Sequence, residues 1–358
     1  MHLSMTKFPK SGRPMVEFEL APLDGTADLR RPKLGFVGVG EVGRNRLDAI
    51  ANSGMAEICA IADPEPDAAM KAAEYSPDAL IGITFDELIS LDLDGIVIAT
   101  PSDQHASQSL AALERSKAVF CQAPLAGSSL EIQRIIDTAR VGNRLLGVDQ
   151  ACRYTAGMRS IRGLIQKRVL GDVYAVELVS HTAHPPEFAA YLGGIRAPGG
   201  CVLDLGSPLL DLAMWALDFP KVESVTSNLV RGGKTWNPAR QGVEDYAAVQ
   251  LKLASDVSVQ LACSWKAPSV TDSRIELNFF GTHGGARFYN VNGSRFDFAA
   301  EHFQLDRTRR PLTDAADLWE GRAVLEWAKK LTRSSAFDPE IEQCAIVAET
   351  VDRIYGRG

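Results

Sequence analysis

The stretch Lys33-Leu34-Gly35-Phe36-Val37-Gly38-Val39-Gly40-Glu41-Val42-Gly43 decides how this chain folds, together with the segment Arg44 to Asn52 and the apolar run that ends at Asp63. An apolar run enters a glycine cluster, a helix-like segment follows, and the next apolar run stops on an acid. The order strand, turn, helix, strand, carboxylate is the context in which G-x-G-x-x-G binds a dinucleotide. Gly38 permits the tight turn, Gly40 lets the backbone approach a pyrophosphate, and Gly43 lets helix and strand pack closely. The run Gly38, Val39, Gly40, Glu41, Val42, Gly43 therefore presents free N–H groups and a helix dipole to an anion. Asp63 lies about 20 residues past the third glycine, where a carboxylate accepts hydrogen bonds from ribose hydroxyls.

Downstream, strand-like runs alternate with helical segments. Pro66 to Tyr75 reads as a helix, Ile81 to Thr84 as a short edge strand, and Phe85 to Leu91 as a helical turn with early acids. Gly95 to Ala99 is a continuous apolar run that suits a strand buried on both faces, stopped by Pro101. Ser102 or Asp103 caps a helix from Gln104 to Glu114. Lys117 to Cys121 and Arg144 to Val148 are further strands flanking a helix over Ser128 to Val141. This alternation predicts a parallel, doubly wound sheet, with ligands at the carboxyl ends of its strands. Thr100, Pro101, His105, Cys121, Gln122 and Ala123 then surround the nicotinamide half of a cofactor.

The pattern changes after Gln150. A helical segment runs from Arg153 to Leu170 and is closed by Gly171. Val173 to Thr182, Val222 to Arg231, Asp245 to Leu253, Val257 to Ser264 and Arg274 to Phe280 read as strands, interrupted by a helix over Leu203 to Leu217. Trp319 to Leu331 and Pro339 to Tyr355 are late helices. The expected architecture is an N-terminal arm (1–31), an α/β Rossmann doubly wound domain (32–150), and an α+β domain (151–358) with a large, mainly antiparallel open sheet.

At 358 residues the chain suits two domains, and a hydrophobic content of 46% with 23% charged residues is that of a globular protein. A net charge of −7 argues against nucleic acid or an anionic membrane as partner. No apolar run approaches the roughly 20 residues that span a bilayer. Met1 to Arg31 has no signal-peptide core. Six scattered cysteines without a C-x-x-C pair predict a reduced, cytoplasmic protein with no metal framework.

The chain resembles the Gfo/Idh/MocA family of NAD(P)-dependent oxidoreductases over nearly everything after the arm. The resemblance rests on the glycine turn with Asp63, on Ile96-Val97-Ile98-Ala99-Thr100-Pro101 followed by His105, and on Val119-Phe120-Cys121-Gln122-Ala123-Pro124-Leu125-Ala126. The run Gly199-Gly200-Cys201-Val202-Leu203-Asp204-Leu205-Gly206-Ser207-Pro208-Leu209-Leu210-Asp211, with Val243-Glu244-Asp245 and Ser264-Trp265, completes it. The resemblance implies a lysine touching nicotinamide ribose and reacting oxygen where Ala123 stands, a glutamate where Gln122 stands, and an acid/base histidine where Pro208 stands. Alanine and proline carry no titratable proton, so neither performs general acid/base transfer. Asp204 remains.

Substitutes for the missing groups are Asp204 itself, His181 and His184 at a strand end, and Tyr154 after the domain crossing. Gln150, Arg153, Asp204 and Lys266 are candidate substrate contacts. Asp63 favours NAD(H) over NADP(H), because a carboxylate repels a 2′-phosphate. The readings are an NAD(P)-dependent oxidoreductase with a non-standard site for a small polar, sugar-like or secondary-metabolite substrate; a relative repurposed for elimination, cyclisation or isomerisation; and a non-catalytic NAD(P) sensor. An open antiparallel sheet, as the family implies, is covered by forming a homodimer or homotetramer.

Overall fold

The computed structural model describes residues 31–183, 199–237, 242–254, 256–268, 271–313, 317–319 and 321–357. All of the expected arm except Arg31, and His184, therefore lie outside the described residues. Arg31–Gly358 forms one compact unit.

Its first layer is a parallel sheet of β1 (Lys33–Val37), β2 (Glu57–Ala62), β3 (Gly95–Ile98), β4 (Ala118–Cys121) and β5 (Leu146–Val148), in the order β2-β1-β3-β4-β5. Every residue of β3 and β4 is buried, which is why their sequences are uninterrupted apolar runs. The connecting helices are α1 (Glu41–Ser53), α2 (Pro66–Ala73), α3 (Phe85–Leu88), α4 (Ser102–Glu114) and α5 (Ser129–Val141). Local chemistry sets their ends. Gly54 closes α1 at φ +62°, a Thr84–Glu87 capping box opens α3, and the Ser128 hydroxyl accepts the Glu131 N–H to open α5.

The edge strand expected over Ile81–Thr84 does not form. A single bridge joins Ala60 to Leu80, Gly82 then turns at φ +75°, and Thr84 serves as the cap of α3. The helix expected over Arg153–Leu170 divides at Thr155 into a 3₁₀ turn (Ala151–Tyr154) and α6 (Ala156–Gln166), because the Thr155 hydroxyl accepts the Met158 N–H as a cap.

The second sheet has ten strands: β6 (Val173–Thr182), β7 (Val222–Arg231), β8 (Lys234–Thr235), β9 (Tyr246–Leu253), β10 (Ser258–Ser264), β11 (Ser273–Gly281), β12 (Gly284–Asn290), β13 (Asp297–Gln304), β14 (Arg309–Pro311) and β15 (Asp317–Leu318). The order is β14-β13-β12-β11-β6-β10-β9-β7-β8, with β15 beside β13. β6 and β10 are parallel and the other pairs are antiparallel. One face packs under α6, α7 (Ser207–Ala216) and the late helix α9 (Gln343–Ile354), with Val176, Leu178, Leu277, Phe279 and Phe288 against Met158, Leu210 and Val351. The opposite face is polar along β6, β11 and β12, where Glu276 holds both Arg274 and Arg287.

Helix α8 (Arg322–Arg333) follows the second sheet in sequence yet covers the first, burying Val324, Trp327, Ala328 and Leu331 against Leu34, Phe36 and Phe120. Gly95 and Gly147 make room for it, since a Cβ on either would stand 2.8 or 2.7 Å from the Trp327 indole. Trp327→Ala is therefore expected to cost about 3–5 kcal/mol of stability, as for other buried aromatics, read as a lowered denaturant midpoint.

Candidate functional site

The glycine turn is built as its spacing requires. Gly38 adopts φ +78°, and a Cβ there would lie 2.6 Å from the Ala99 carbonyl and the Thr100 nitrogen. A Cβ on Gly43 would collide with the Gly38 carbonyl, so this glycine brings α1 against the turn. Gly40 is different, because nothing lies within 4 Å of where its Cβ would be. Open space beside Gly40, with Glu41 and Val42 exposed at the start of α1, is the cradle that a pyrophosphate needs. Asp63, at the end of β2, faces the same turn. Its Oδ2 accepts the Val39 N–H at 2.7 Å and its Oδ1 the Glu65 N–H at 2.9 Å. The carboxylate thus fixes the turn, and each oxygen keeps a lone pair for a ribose hydroxyl.

Beyond β3 lie the residues expected around a nicotinamide. The Thr100 hydroxyl donates to Gln108 Oε1 at 2.6 Å, and Pro101 leads into α4. His105 is 1% exposed, with Nε2 2.7 Å from the Thr100 carbonyl and Nδ1 2.7 Å from the Pro124 carbonyl. It braces the loops after β3 and β4 against each other. Cys121 is buried and its thiol is pushed up to about 12 by burial, so it is a packing residue.

A cavity of ≈ 310 Å³ opens between the carboxyl ends of β4 and β5 and the helices of the second sheet. Gln122, Ala123, Asp149, Gln150, Asp204 and Pro208 are on its wall, so the positions implied for lysine and histidine face one space. Asp204 lies in a π-helical turn, Val202–Gly206, that runs into α7. Pro208 gives the reason for the widened turn: it has no N–H for the Asp204 carbonyl, and its ring clashes with that carbonyl in α geometry. Behind the turn, the buried Glu244 carboxylate accepts the Gly200 and Val202 N–H groups and the Tyr355 hydroxyl at 3.2, 2.9 and 2.8 Å. The Trp265 indole N–H donates to Asp204 Oδ2 at 2.7 Å. Burial raises the Asp204 pKa, against the opposing pull of that indole bond and of the Arg295 charge. Burial thus favours the protonated form of this carboxyl.

Other candidates fall elsewhere. Along β6 the core-facing side chains are Val176, Leu178, Ser180 and Thr182, so alternation turns His181 to the opposite, polar face beside Arg274. Burial lowers its pKa, but the sheet separates it from the cavity. Tyr154 lines a small separate cavity of ≈ 50 Å³ with Trp327 and Lys330, and burial raises its phenol pKa. Arg153 is buried in an ion pair with Asp211 and donates to Gln343 Oε1 at 2.8 Å, leaving its guanidinium engaged in the protein. Gln150 is on the wall, yet its amide donates to Asp211 at 2.7 Å. Lys266 is exposed and outside the lining; its neighbour Trp265 makes the contact to Asp204. Among the described residues no group of three or more His, Cys, Asp or Glu is placed to hold a metal.

Sequence reasoning passed over Asp149, Arg46 and Trp319. Arg46 on α1 is 1% exposed, reaches Asp149 Oδ2 with Nε at 2.7 Å and Nη2 at 2.6 Å, and lies 3.5 Å from Gln122 Oε1. Trp319, from beyond β15, covers this guanidinium at 5.2 Å and also lines the cavity. The signal for Asp149 was present: it is the acid directly after a strand, at the end where ligands bind.

Comparison with known proteins agrees with this geometry. Residues 33–150 match the model described as "Oxidoreductase family, NAD-binding Rossmann fold", and residues 158–287 match the GFO/IDH/MocA C-terminal domain. The chain is 25% identical over 247 residues to D-glucoside 3-dehydrogenase of Escherichia coli (strain K12), covering 65% of this chain and 70% of that one. It is 26% identical over 284 residues to inositol 2-dehydrogenase of Rhizobium meliloti (strain 1021), covering 79% and 82%. KijD10, a 3-ketoreductase from Actinomadura kijaniata, shares the fold with a TM-score of 0.76 at 17% identity, covering 91% and 97%.

The raised Asp204 pKa has a consequence for stability. Its protonated form is favoured by folding, so the residue costs stability once the pH exceeds the ordinary carboxylate value of 3.8. Asp204→Asn, which keeps an acceptor for Trp265, is expected to melt above the parent at pH 7–8, with the gain vanishing as the pH falls toward 3.8. Thermal scans across that range check it.

Proposed function

We propose that this chain, which belongs to the GFO/IDH/MocA oxidoreductase family, is an NAD(P)-dependent oxidoreductase for a small polyhydroxylated substrate, with Asp204 in place of the usual acid/base pair. The observation that carries the reading is the open space at Gly40, in the turn formed by Gly38, Gly43 and Asp63, in a chain that also has a cavity beside Asp204. A bound nicotinamide would supply hydride chemistry, and the protein's own share is to position the substrate and handle its proton. Asp204 handles the proton, the Trp265 indole orients its carboxyl, and the Glu244 cluster fixes the turn that carries Asp204. Ala123 and Pro208 make the surrounding wall apolar, which strengthens any charge interaction made there. The dehydrogenase activities of the relatives named above support a sugar- or cyclitol-sized substrate. Asp63 favours NAD(H), because a 2′-phosphate would meet its carboxylate. A non-redox relative or a cofactor sensor would keep the same cradle, and turnover separates those readings from this one.

Asp63→Ala is expected to weaken NADH binding at least tenfold, on the scale of a lost charge-assisted hydrogen bond, measured by fluorescence titration; unchanged binding rejects the cradle. Asp204→Asn should lower kcat by about 10²–10⁴ with NADH affinity retained, as for loss of a general acid or base. NADH that binds without turnover of any polyol or ketose rejects the oxidoreductase reading.

The polar face of the second sheet is proposed as the contact between copies of the chain. Sedimentation should show a dimer or tetramer, and a monomer at micromolar concentration counts against it.

A further inference from the structure

Three backbone N–H groups at the start of the turn that carries Asp204 have no helical acceptor behind them, and all three donate to one residue. Gly200 N–H donates to Glu244 Oε2 at 3.2 Å, Cys201 N–H to the Glu244 carbonyl at 3.2 Å, and Val202 N–H to Glu244 Oε1 at 2.9 Å. The helix dipole favours a carboxylate at this end. Glu244 is fully buried and forms no ion pair among the described residues, so hydrogen bonds alone meet its charge. The one side-chain donor among them is the Tyr355 hydroxyl, at 2.8 Å.

Tyr355 directly follows α9 and is buried. The Trp236 ring meets it edge-on at 5.9 Å and the Arg357 guanidinium lies over it at 4.5 Å, so the hydroxyl is delivered from a ring held on two sides. The glycine pair before the turn makes room for this contact. A Cβ on Gly199 would stand 2.6 Å from the hydroxyl oxygen, and one on Gly200 2.7 Å from Glu244 Oε2. The hydrogen-bond partner of Asp204 is held by the neighbouring residue. The Asp245 carbonyl accepts the Trp265 backbone N–H at 3.0 Å and the Ser264 hydroxyl at 3.1 Å. Glu244 therefore holds the turn with the carboxyl, and Asp245 holds the strand end with the indole. The 2.7 Å bond from Trp265 to Asp204 spans the two, so its geometry depends on where this dipeptide is fixed.

We propose that Tyr355 is a positioning residue for Asp204: by fixing the Glu244 carboxylate, it sets how the Asp204 carboxyl meets the Trp265 indole. Tyr355 is not on the cavity wall and acts only through Glu244. The helix it follows does line the cavity, through Cys344, Val347 and Val351, so one element shapes the wall and aligns the group that handles the proton. This rests on reading Asp204 as that group.

The test follows hydrogen–deuterium exchange at the tryptophan indoles of the full chain by 15N NMR, with Trp265→Phe assigning the Trp265 resonance. Tyr355→Phe keeps the ring and removes the hydroxyl. It is expected to quicken exchange at the Trp265 indole at least about tenfold, the scale of a lost hydrogen bond to a charged acceptor. The Trp327 indole, buried against the first sheet, is expected to keep its parental rate. Glu244→Gln, whose side chain offers one acceptor oxygen where the turn uses two, should quicken Trp265 further; if that variant fails to fold, Tyr355→Phe decides alone. A parental Trp265 rate in Tyr355→Phe overturns the proposal. So does equal acceleration at Trp265 and Trp327, which a general loss of stability would give. Indole exchange needs neither cofactor nor turnover, so its failure overturns the positioning proposal alone, and the NADH turnover assay decides the oxidoreductase reading alone.

Discussion

The buried pair Arg46–Asp149 is the constraint that ties the helix of the glycine turn to the wall of the Asp204 cavity. Arg46 belongs to the helix that begins at the glycine turn, and Asp149 directly follows the last strand of the first sheet. Both side chains are 1% exposed, so neither charge can return to water while the fold persists. Removing one partner would strand the other, a cost of about 3–5 kcal/mol in buried pairs of this kind. Trp319 seals the guanidinium from the far side after the chain has crossed the whole second sheet. The pair therefore fixes the angle between the turn that would hold a dinucleotide and the wall that would hold a substrate.

Much of this was legible in sequence because the rules involved are local. The roles of Gly38, Gly40 and Gly43 follow from steric demands within a few residues, and the structure places a carbonyl, open space and a carbonyl where those demands require them. His181 could have been assigned to its face from the same text, since Val176, Leu178, Ser180 and Thr182 alternate with it. Its proximity to a strand end was the weaker clue. The role of Arg153 was not legible: an arginine on a helical turn looks the same whether it meets a ligand or an Asp211 that lies 58 residues away in sequence. Strands β12 and β13 escaped notice because Gly284, Gly285 and Ala299 blur the period of two that marks a strand.

Pro208 joins two facts that sequence alone kept apart. It puts a side chain with no titratable proton on the cavity wall, and it forces the preceding turn to widen where Asp204 is carried. The carboxylate that remains is therefore presented by a backbone shaped by the same substitution. Exchanging the proline for histidine would alter both the chemistry and the geometry of Asp204, so the residue cannot be treated as a simple vacancy in an otherwise ordinary site.

Helix α8 imposes an order on the making of the protein. The groove at Gly95 and Gly147 is shaped to receive Trp327, a residue synthesised after the entire second sheet. On the ribosome, the nucleotide-binding half emerges first but keeps an apolar face uncovered until some 180 further residues have been added, a wait of about 10–40 s at ordinary elongation rates. The half that is first in sequence is thus completed only after the whole second sheet has been made. A truncated chain ending near residue 150 would expose Leu34, Phe36 and Phe120 to any chaperone or neighbouring chain that met it.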